Sequence, residues 1–218
     1  MELNGIKMAV LGDSITEGHG VADKQNIYYN RVARECGIRE LYVDGISGTR
    51  FARQSTESEK PRHDKDFLSR IENIDADSDL VVVFGGTNDF GHGDAAIGRM
   101  NDRTDDTFYG ALHNLCISLI EKYPEAQLVV MTPLHRIGEA PYYNSRGVRT
   151  AGTLEDYVNI ITEVAGYYGI PVLDLYRTSG INPAIQTIRE KYMPDGLHPS
   201  DAGSMIIYKK LRGFLETL

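Results

Sequence analysis

Residues 80–89 read Leu-Val-Val-Val-Phe-Gly-Gly-Thr-Asn-Asp, an unbroken apolar run that is followed at once by small and polar residues. Five consecutive apolar residues are typical of a strand that is covered on both faces, as the strands of parallel sheets are. In such sheets the functional site forms just outside the carboxyl ends of the strands. This stretch therefore favours an α/β fold with a site close to residues 85–89.

The rest of the chain alternates between short apolar runs and helical patterns. Four further strands are predicted at residues 6–11, 41–43, 127–131 and 171–174. Helices are predicted at 28–36 and 67–74, from an N-cap at Thr104 through residue 119, at 154–168, after Asn182-Pro183, and from about residue 200 onward. Strands that alternate with helices indicate a doubly wound, mostly parallel sheet with helices on both faces, a three-layer α/β/α architecture.

Length and composition limit the class of protein. The 218 residues suit one domain spanning residues 1–218, and the composition, 41% hydrophobic and 25% charged, is that of an ordinary globular protein. The net charge of -8 disfavours nucleic-acid and anionic membrane surfaces as partners. No stretch has the ~20 apolar residues of a membrane-spanning helix, and no signal peptide is apparent, which favours a cytoplasmic location without membrane insertion.

Small and polar residues follow the predicted strands at four places. Because the carboxyl ends of parallel strands meet at one edge of the sheet, we expect these residues to lie close together. The segments are Gly12-Asp13-Ser14-Ile15-Thr16, Asp44-Gly45-Ile46-Ser47-Gly48, Gly85-Gly86-Thr87-Asn88-Asp89 and, beyond a short helix, Asp195-Gly196-Leu197-His198-Pro199.

These residue types match the requirements of acyl transfer. A serine such as Ser14 is a weak nucleophile until a base takes its proton, and His198 suits that role because imidazole titrates near neutral pH. Asp195 is near enough in the chain to orient the imidazole. The oxyanion of a tetrahedral intermediate needs preformed donors, which glycine N–H groups and an asparagine amide can provide. The predicted chemistry is therefore acyl transfer through a serine nucleophile.

The four segments resemble the GDSL, or SGNH, hydrolases, a family of lipases and esterases, and they occur in the order typical of that family. The resemblance implies a flavodoxin-like three-layer fold without a cofactor. It also implies Ser14 as nucleophile, Asp195 and His198 as its triad partners, and an oxyanion hole built from the Ser14 N–H, the Gly48 N–H and the Asn88 side chain.

One position departs from the family pattern. The second motif of the family often carries an asparagine shortly ahead of its first glycine-containing turn, and in this chain that neighbourhood holds Asp44. Gly45 is for this reason the alternative to Gly48 as the second backbone donor.

The remaining candidates lie beside these motifs or in long irregular stretches at residues 45–65, 89–103 and 134–153. Loops of this length tend to be functional. Asp13 and Asp89 are predicted to fix loop backbone, and no pair of histidines has the spacing of metal ligands. The candidates for substrate contact are Asp13, His92, His135, Arg136 and Tyr142.

The sequence leaves the substrate open. No extended apolar lid is evident, so an esterase for small acyl groups, such as acetyl groups on a sugar, is favoured over a lysophospholipase-type lipase. A non-catalytic binding module on the same fold is the alternative from another class, since a fold does not determine function. A nucleotide- or flavin-binding protein is disfavoured, because no glycine-rich phosphate loop opens a helix.

Overall fold

A computed structural model describes residues 1–143, 147 and 151–218, so that the irregular stretch predicted at 134–153 lies partly outside the described residues. The described chain forms a five-stranded parallel sheet with the order β2-β1-β3-β4-β5. The strands are β1 (Lys7–Gly12), β2 (Glu40–Gly45), β3 (Leu80–Phe84), β4 (Gln127–Met131) and β5 (Val172–Leu173).

Helices cover both faces of this sheet. They are α1 (Ser14–Glu17), α2 (Tyr28–Cys36), α3 (Phe67–Arg70), α4 (Thr87–His92), α5 (Phe108–Lys122), α6 (Leu154–Tyr167), α7 (Leu175–Thr178), α8 (Gln186–Tyr192) and α9 (Asp201–Leu215). The predicted three-layer α/β/α architecture is confirmed. None of the helices in the described part of the chain is long and apolar enough to cross a membrane.

Two apolar cores lie on opposite sides of the sheet, because successive side chains of a strand point to opposite faces. On one face Val81 and Val83 pack with residues of α5 and α6, and on the other Val82 and Phe84 pack with residues of α2 and α9. Every residue of β3 is buried. Each such apolar side chain contributes roughly 1.5–3 kcal/mol when it is fully removed from water, so the central strand anchors both layers.

The start of α5 differs from the prediction. Thr107, rather than Thr104, caps the helix, and its side chain accepts a hydrogen bond from the Gly110 N–H. The segment before Thr107 is tied to a distant loop, since the Arg53 N–H donates to the Asp105 carbonyl at 2.7 Å. That contact keeps the segment out of the helix, and the N-cap is therefore three residues later in the chain than predicted.

Two other predicted helices differ in their bounds: one ends earlier and one begins later than predicted. The pattern at 67–74 forms α3 and then a 3₁₀ turn, Ile71–Asn73. The helix predicted to begin at Asn182-Pro183 begins at Gln186, because the Asn182 side chain accepts from the Ala184 N–H and forms a turn ahead of the helix.

The strand ends deliver the polar motifs to one edge of the sheet. β1 ends directly before Asp13, which caps α1, and β3 leads through two glycines into α4. The second of these, Gly86, has φ +103°, a left-handed conformation that favours glycine. A Cβ there would lie 2.9 Å from the Ile161 side chain, so α4 packs closely on α6. The fourth motif connects α8 to α9.

Candidate active site

Ser14 is the first residue of α1, at the point where the chain leaves the sheet. The Asp13 side chain caps this helix by accepting from the Ile15 N–H at 3.0 Å. Ser14 is buried at 6% exposure, and its Oγ lies 3.0 Å from Nε2 of His198. The hydroxyl is therefore within hydrogen-bond reach of a base that comes from the opposite end of the chain.

His198 is oriented by Asp195. The His198 Nδ1 lies 2.7 Å from Asp195 Oδ2, while Oδ1 accepts from the backbone N–H groups of Leu197 and His198 at 2.9 and 2.7 Å. This carboxylate favours a proton on Nδ1 and leaves Nε2 free to accept the Ser14 proton. Partial burial raises the pKa of Asp195, but the hydrogen bonds from His198 and Leu197 outweigh it and lower the pKa overall.

Asn88 lies in the first turn of α4 and is 4% exposed. Its Nδ2 donates to the Thr49 carbonyl at 3.0 Å, and its Oδ1 lies 3.0 Å from Nε2 of His92. An amide nitrogen has two hydrogens. Among the described residues, the second hydrogen of Asn88 has no partner, so it is available to an oxyanion.

Backbone donors come from two other motifs. As the first residue of α1, Ser14 has an N–H without a carbonyl partner in the helix. Gly48 has φ +78°, and in the described part of the chain no hydrogen bond from its N–H is found. Gly45 instead ends β2 opposite Gly12 and packs against the backbone of α1. These placements favour Gly48 over Gly45 as the second backbone donor.

The sequence pattern of the GDSL-like lipase/acylhydrolase family matches residues 10–206. The chain belongs to this family. The resemblance that the four motifs indicate is therefore confirmed, and with it the fold. The membership supports hydrolysis of esters as the general activity.

Solved structures share the fold over nearly the whole chain. A Lactobacillus plantarum protein is 31% identical with a TM-score of 0.82, covering 98% of each chain. A Bacteroides uniformis protein described as a GDSL-like lipase is 23% identical with a TM-score of 0.70, covering 98% of this chain and 97% of its own. An acetyl-xylooligosaccharide esterase from Geobacillus is 20% identical with a TM-score of 0.55, covering 99% of this chain and 96% of its own. No curated protein matches.

Two buried aspartates fix the loops of this GDSL-family site. Asp89 accepts from the backbone N–H groups of Phe51 and Ala52, and burial raises its pKa to about 7. Burial likewise raises the pKa of Asp13 to about 6, although Arg70 and Arg136 oppose the effect. Asp13 is 1% exposed and engaged at the helix cap, which favours the predicted role in fixing the loop backbone, and its contact with substrate stays a prediction.

The candidates in the long loops have partners within the protein. His135 lies against the Tyr176 ring, with centroids 3.8 Å apart, and its Nδ1 is 2.8 Å from Glu139. Arg136 donates to the carbonyl of Thr87 at 3.1 Å. The Tyr142 hydroxyl donates to the Gly91 carbonyl, so Arg136 and Tyr142 both pack against α4. His92 is the last residue of α4 and contacts Asn88. Contact of any of them with substrate stays a prediction.

Two histidines that the sequence does not single out lie beside the candidate catalytic groups. The exposed ring of His19 is 4.7 Å from that of His198. A Cβ on Gly48 would lie 2.9 Å from the His63 ring. The only sequence signal for His19 is its position five residues after Ser14, and His63 has none.

A cavity of about 420 Å³ adjoins the candidate oxyanion donors, because His63 lies against Gly48 and His92 contacts Asn88. Across residues 1–143, 147 and 151–218, no group of three or more His, Cys, Asp or Glu side chains is arranged to bind a metal ion. The cavity is lined by Arg50, Glu57, Ser58, Glu59, Lys60, His63 and His92.

Proposed function

We propose that this chain is a serine esterase that cleaves carboxylic esters through an acyl-enzyme on Ser14. The observation that carries the proposal is the continuous chain of hydrogen-bond distances from Ser14 Oγ to His198 (3.0 Å) and from His198 to Asp195 (2.7 Å). A module that only binds ligands has no need of a base aligned on a serine hydroxyl.

The reaction follows from these atoms. Ser14 Oγ attacks the ester carbonyl while its proton passes to His198 Nε2. The oxyanion then accepts hydrogen bonds from the Ser14 N–H, the Gly48 N–H and the Asn88 amide. As the intermediate collapses, His198 returns the proton to the leaving alcohol. Water next attacks the acyl-enzyme with His198 as base, which releases the acid and restores Ser14.

The cavity beside the oxyanion donors supports a small acyl group on a polar alcohol. Its lining includes Glu57, Glu59 and Lys60, which are charged and unfavourable for a long alkyl chain. A sugar or similar polyol offers hydroxyl groups that such side chains can bind. We therefore propose acetylated sugars or comparable small polar esters as the substrate class.

The nucleophile is tested with a fluorophosphonate probe and with 4-nitrophenyl acetate. Wild-type protein should be labelled at Ser14 and should hydrolyse the ester, and Ser14→Ala should lose both activities while keeping its melting temperature. Ser118→Ala, on α5, is the matched serine control and should behave like wild type. Wild-type turnover by Ser14→Ala, or a wild-type protein that is neither labelled nor active, would remove the esterase proposal.

The substrate class is tested by acyl length and alcohol. Acetyl esters should be cleaved faster than octanoyl or palmitoyl esters, and peracetylated xylose should release acetate. A preference for palmitoyl or lysophospholipid substrates would contradict the small-acyl proposal and favour a lipase.

A further inference from the structure

Arg50 and His92 form a line of contacts that ends at the Asn88 amide. We propose that Arg50 and His92 are positioning residues that fix the orientation of the Asn88 amide for oxyanion binding. The proposal rests on the esterase function above, since it concerns the same site. We name these three residues the Arg50–His92–Asn88 relay.

Arg50 is a buried cation, and one of its two terminal nitrogens lies beside His92. Its side chain is 2% exposed, and its Nη2 lies 3.0 Å from Asp64 Oδ1. Its Nη1 lies 3.2 Å from Nδ1 of His92 and 3.3 Å from the His92 carbonyl. Burial of a guanidinium is unfavourable unless acceptors surround it. The Asp64 carboxylate therefore stabilises Arg50 in a position where Nη1 faces the imidazole.

The contact with Arg50 determines the tautomer of His92. A guanidinium has only donors and does not lose its proton in proteins. Nδ1 of His92 must therefore accept, which places the single ring proton on Nε2. That nitrogen lies 3.0 Å from Asn88 Oδ1. The His92 Nε2–H consequently donates to the amide oxygen.

The orientation of the Asn88 amide follows in turn. Its oxygen must face the His92 N–H, and its nitrogen must face the Thr49 carbonyl at 3.0 Å. A reversed amide would place N–H against N–H at His92 and oxygen against oxygen at Thr49. Two neighbours thus select one rotamer, and the remaining Asn88 N–H is aimed away from both, ready for an oxyanion.

A fixed donor acts mainly in the transition state, where the oxyanion forms, and needs no reorganisation at that moment. Loss of the His92 contact should leave the Asn88 amide in place but free to rotate. The effect should thus appear in kcat and leave KM largely unchanged. It should also be smaller than the loss caused by removal of Asn88 itself.

The first experiment compares His92→Leu with His92→Gln on 4-nitrophenyl acetate. Glutamine can accept from Arg50 through its oxygen and donate to Asn88 through its N–H, as the Nε2–H tautomer does, whereas leucine can do neither. We expect His92→Leu to lower kcat roughly 10- to 100-fold with KM within about twofold, and His92→Gln to recover most of the loss. Wild-type kcat in His92→Leu, or equal losses in both variants, would overturn the proposal.

A double-mutant cycle separates positioning from a merely structural role. In an Asn88→Ala background, His92→Leu should change kcat by less than about twofold, because the group that His92 orients is gone. Thermal melts of all four proteins check folding. An undiminished loss in that background would show that His92 acts elsewhere and would contradict the relay.

Nitrogen-15 NMR tests the tautomer without relying on turnover. The His92 resonances, assigned by their absence in His92→Gln, should report a neutral ring protonated on Nε2 at pH 7. A proton on Nδ1, or a doubly protonated ring, would contradict the proposed contacts of His92 whether or not the protein is an esterase. A correct tautomer in a protein without Ser14-dependent turnover would overturn the esterase proposal and the role in oxyanion binding, and would leave only the fixed orientation of the Asn88 amide supported.

Discussion

The two halves of the candidate site are built differently. On the triad side, Asp195 and His198 are three residues apart, and the Asp195 side chain is 53% exposed. On the oxyanion side, Asn88 is 4% exposed, and its amide contacts Thr49, 39 positions away in the chain. The first half depends on a local turn whose carboxylate is open to water, whereas the second is a buried contact between segments that are distant in the chain.

This difference has a physical consequence. Hydrogen bonds and charges near water contribute little to folding, since water competes for both partners. Buried polar contacts are stronger, and a buried group that loses its partner is costly. We therefore expect changes on the triad side to remove activity with little loss of stability, and changes on the oxyanion side to affect both.

The largest expected effect is that of His198→Ala. Removal of the base should lower kcat by about 10⁴-fold or more, because the triad acts as a unit. The melting temperature should change little, since the carboxylate that loses its partner, Asp195, is 53% exposed and can be solvated instead. Steady-state kinetics on 4-nitrophenyl acetate and a thermal melt provide the two measurements.

His19→Ala is the matched control, because its ring lies 4.7 Å from that of His198. It should retain activity within about tenfold, since no hydrogen bond to Ser14 is lost. Equal losses in the two variants would show that the assignment of the base to His198 is incomplete.

Asn88→Ala should have the next largest effect on activity. Loss of one oxyanion donor should lower kcat on the order of 100- to 1000-fold. The buried Thr49 carbonyl would also lose its donor, which should destabilise the fold by about 1–3 kcal/mol. Kinetics and urea unfolding measure the two effects on one preparation.

Asn101→Ala, at an exposed position, is the control for Asn88 and should change neither quantity. A stable but inactive Asn88→Ala would contradict the expectation that changes on the oxyanion side reduce stability as well as activity. A destabilised variant with wild-type kcat would remove Asn88 from the oxyanion hole.

The prediction at Asp13 concerns stability and its dependence on pH rather than turnover. Burial raises the pKa of this carboxyl from 3.8 to about 6, so the folded protein binds the proton more tightly than the unfolded chain. The protonated carboxyl therefore stabilises the fold, and its contribution to the free energy of unfolding is complete below about pH 4. This contribution is lost as the pH rises to about 6, a fall of at most about 3 kcal/mol. Asp13→Asn keeps an N-cap side chain and should flatten this part of the curve.

Urea unfolding between pH 4 and pH 7 measures the Asp13 effect. Glu125→Gln, at an exposed position, is the control and should leave the curve unchanged. An identical pH dependence in wild type and Asp13→Asn would contradict the assignment.

Much of the fold could be predicted because its signals are local. The apolar run at 80–84 and the other strand patterns place every strand of the described sheet, since strand periodicity and burial are carried by neighbouring residues. Helix starts were less predictable. Thr104 and Thr107 are both acceptable caps, and the choice between them depends on Arg53, a residue from another loop.

The site shows the same division. The sequence alone determined which residue types follow each strand, and hence that Ser14, Asn88, Asp195 and His198 would meet at one edge of a parallel sheet. Only the tertiary structure decided which hydrogens and oxygens face one another, because this depends on contacts such as that between Arg50 and His92, 42 positions apart. Periodicity reports the surroundings of a residue along its own element, whereas a tautomer or an amide rotamer is set by a neighbour that the chain brings from elsewhere.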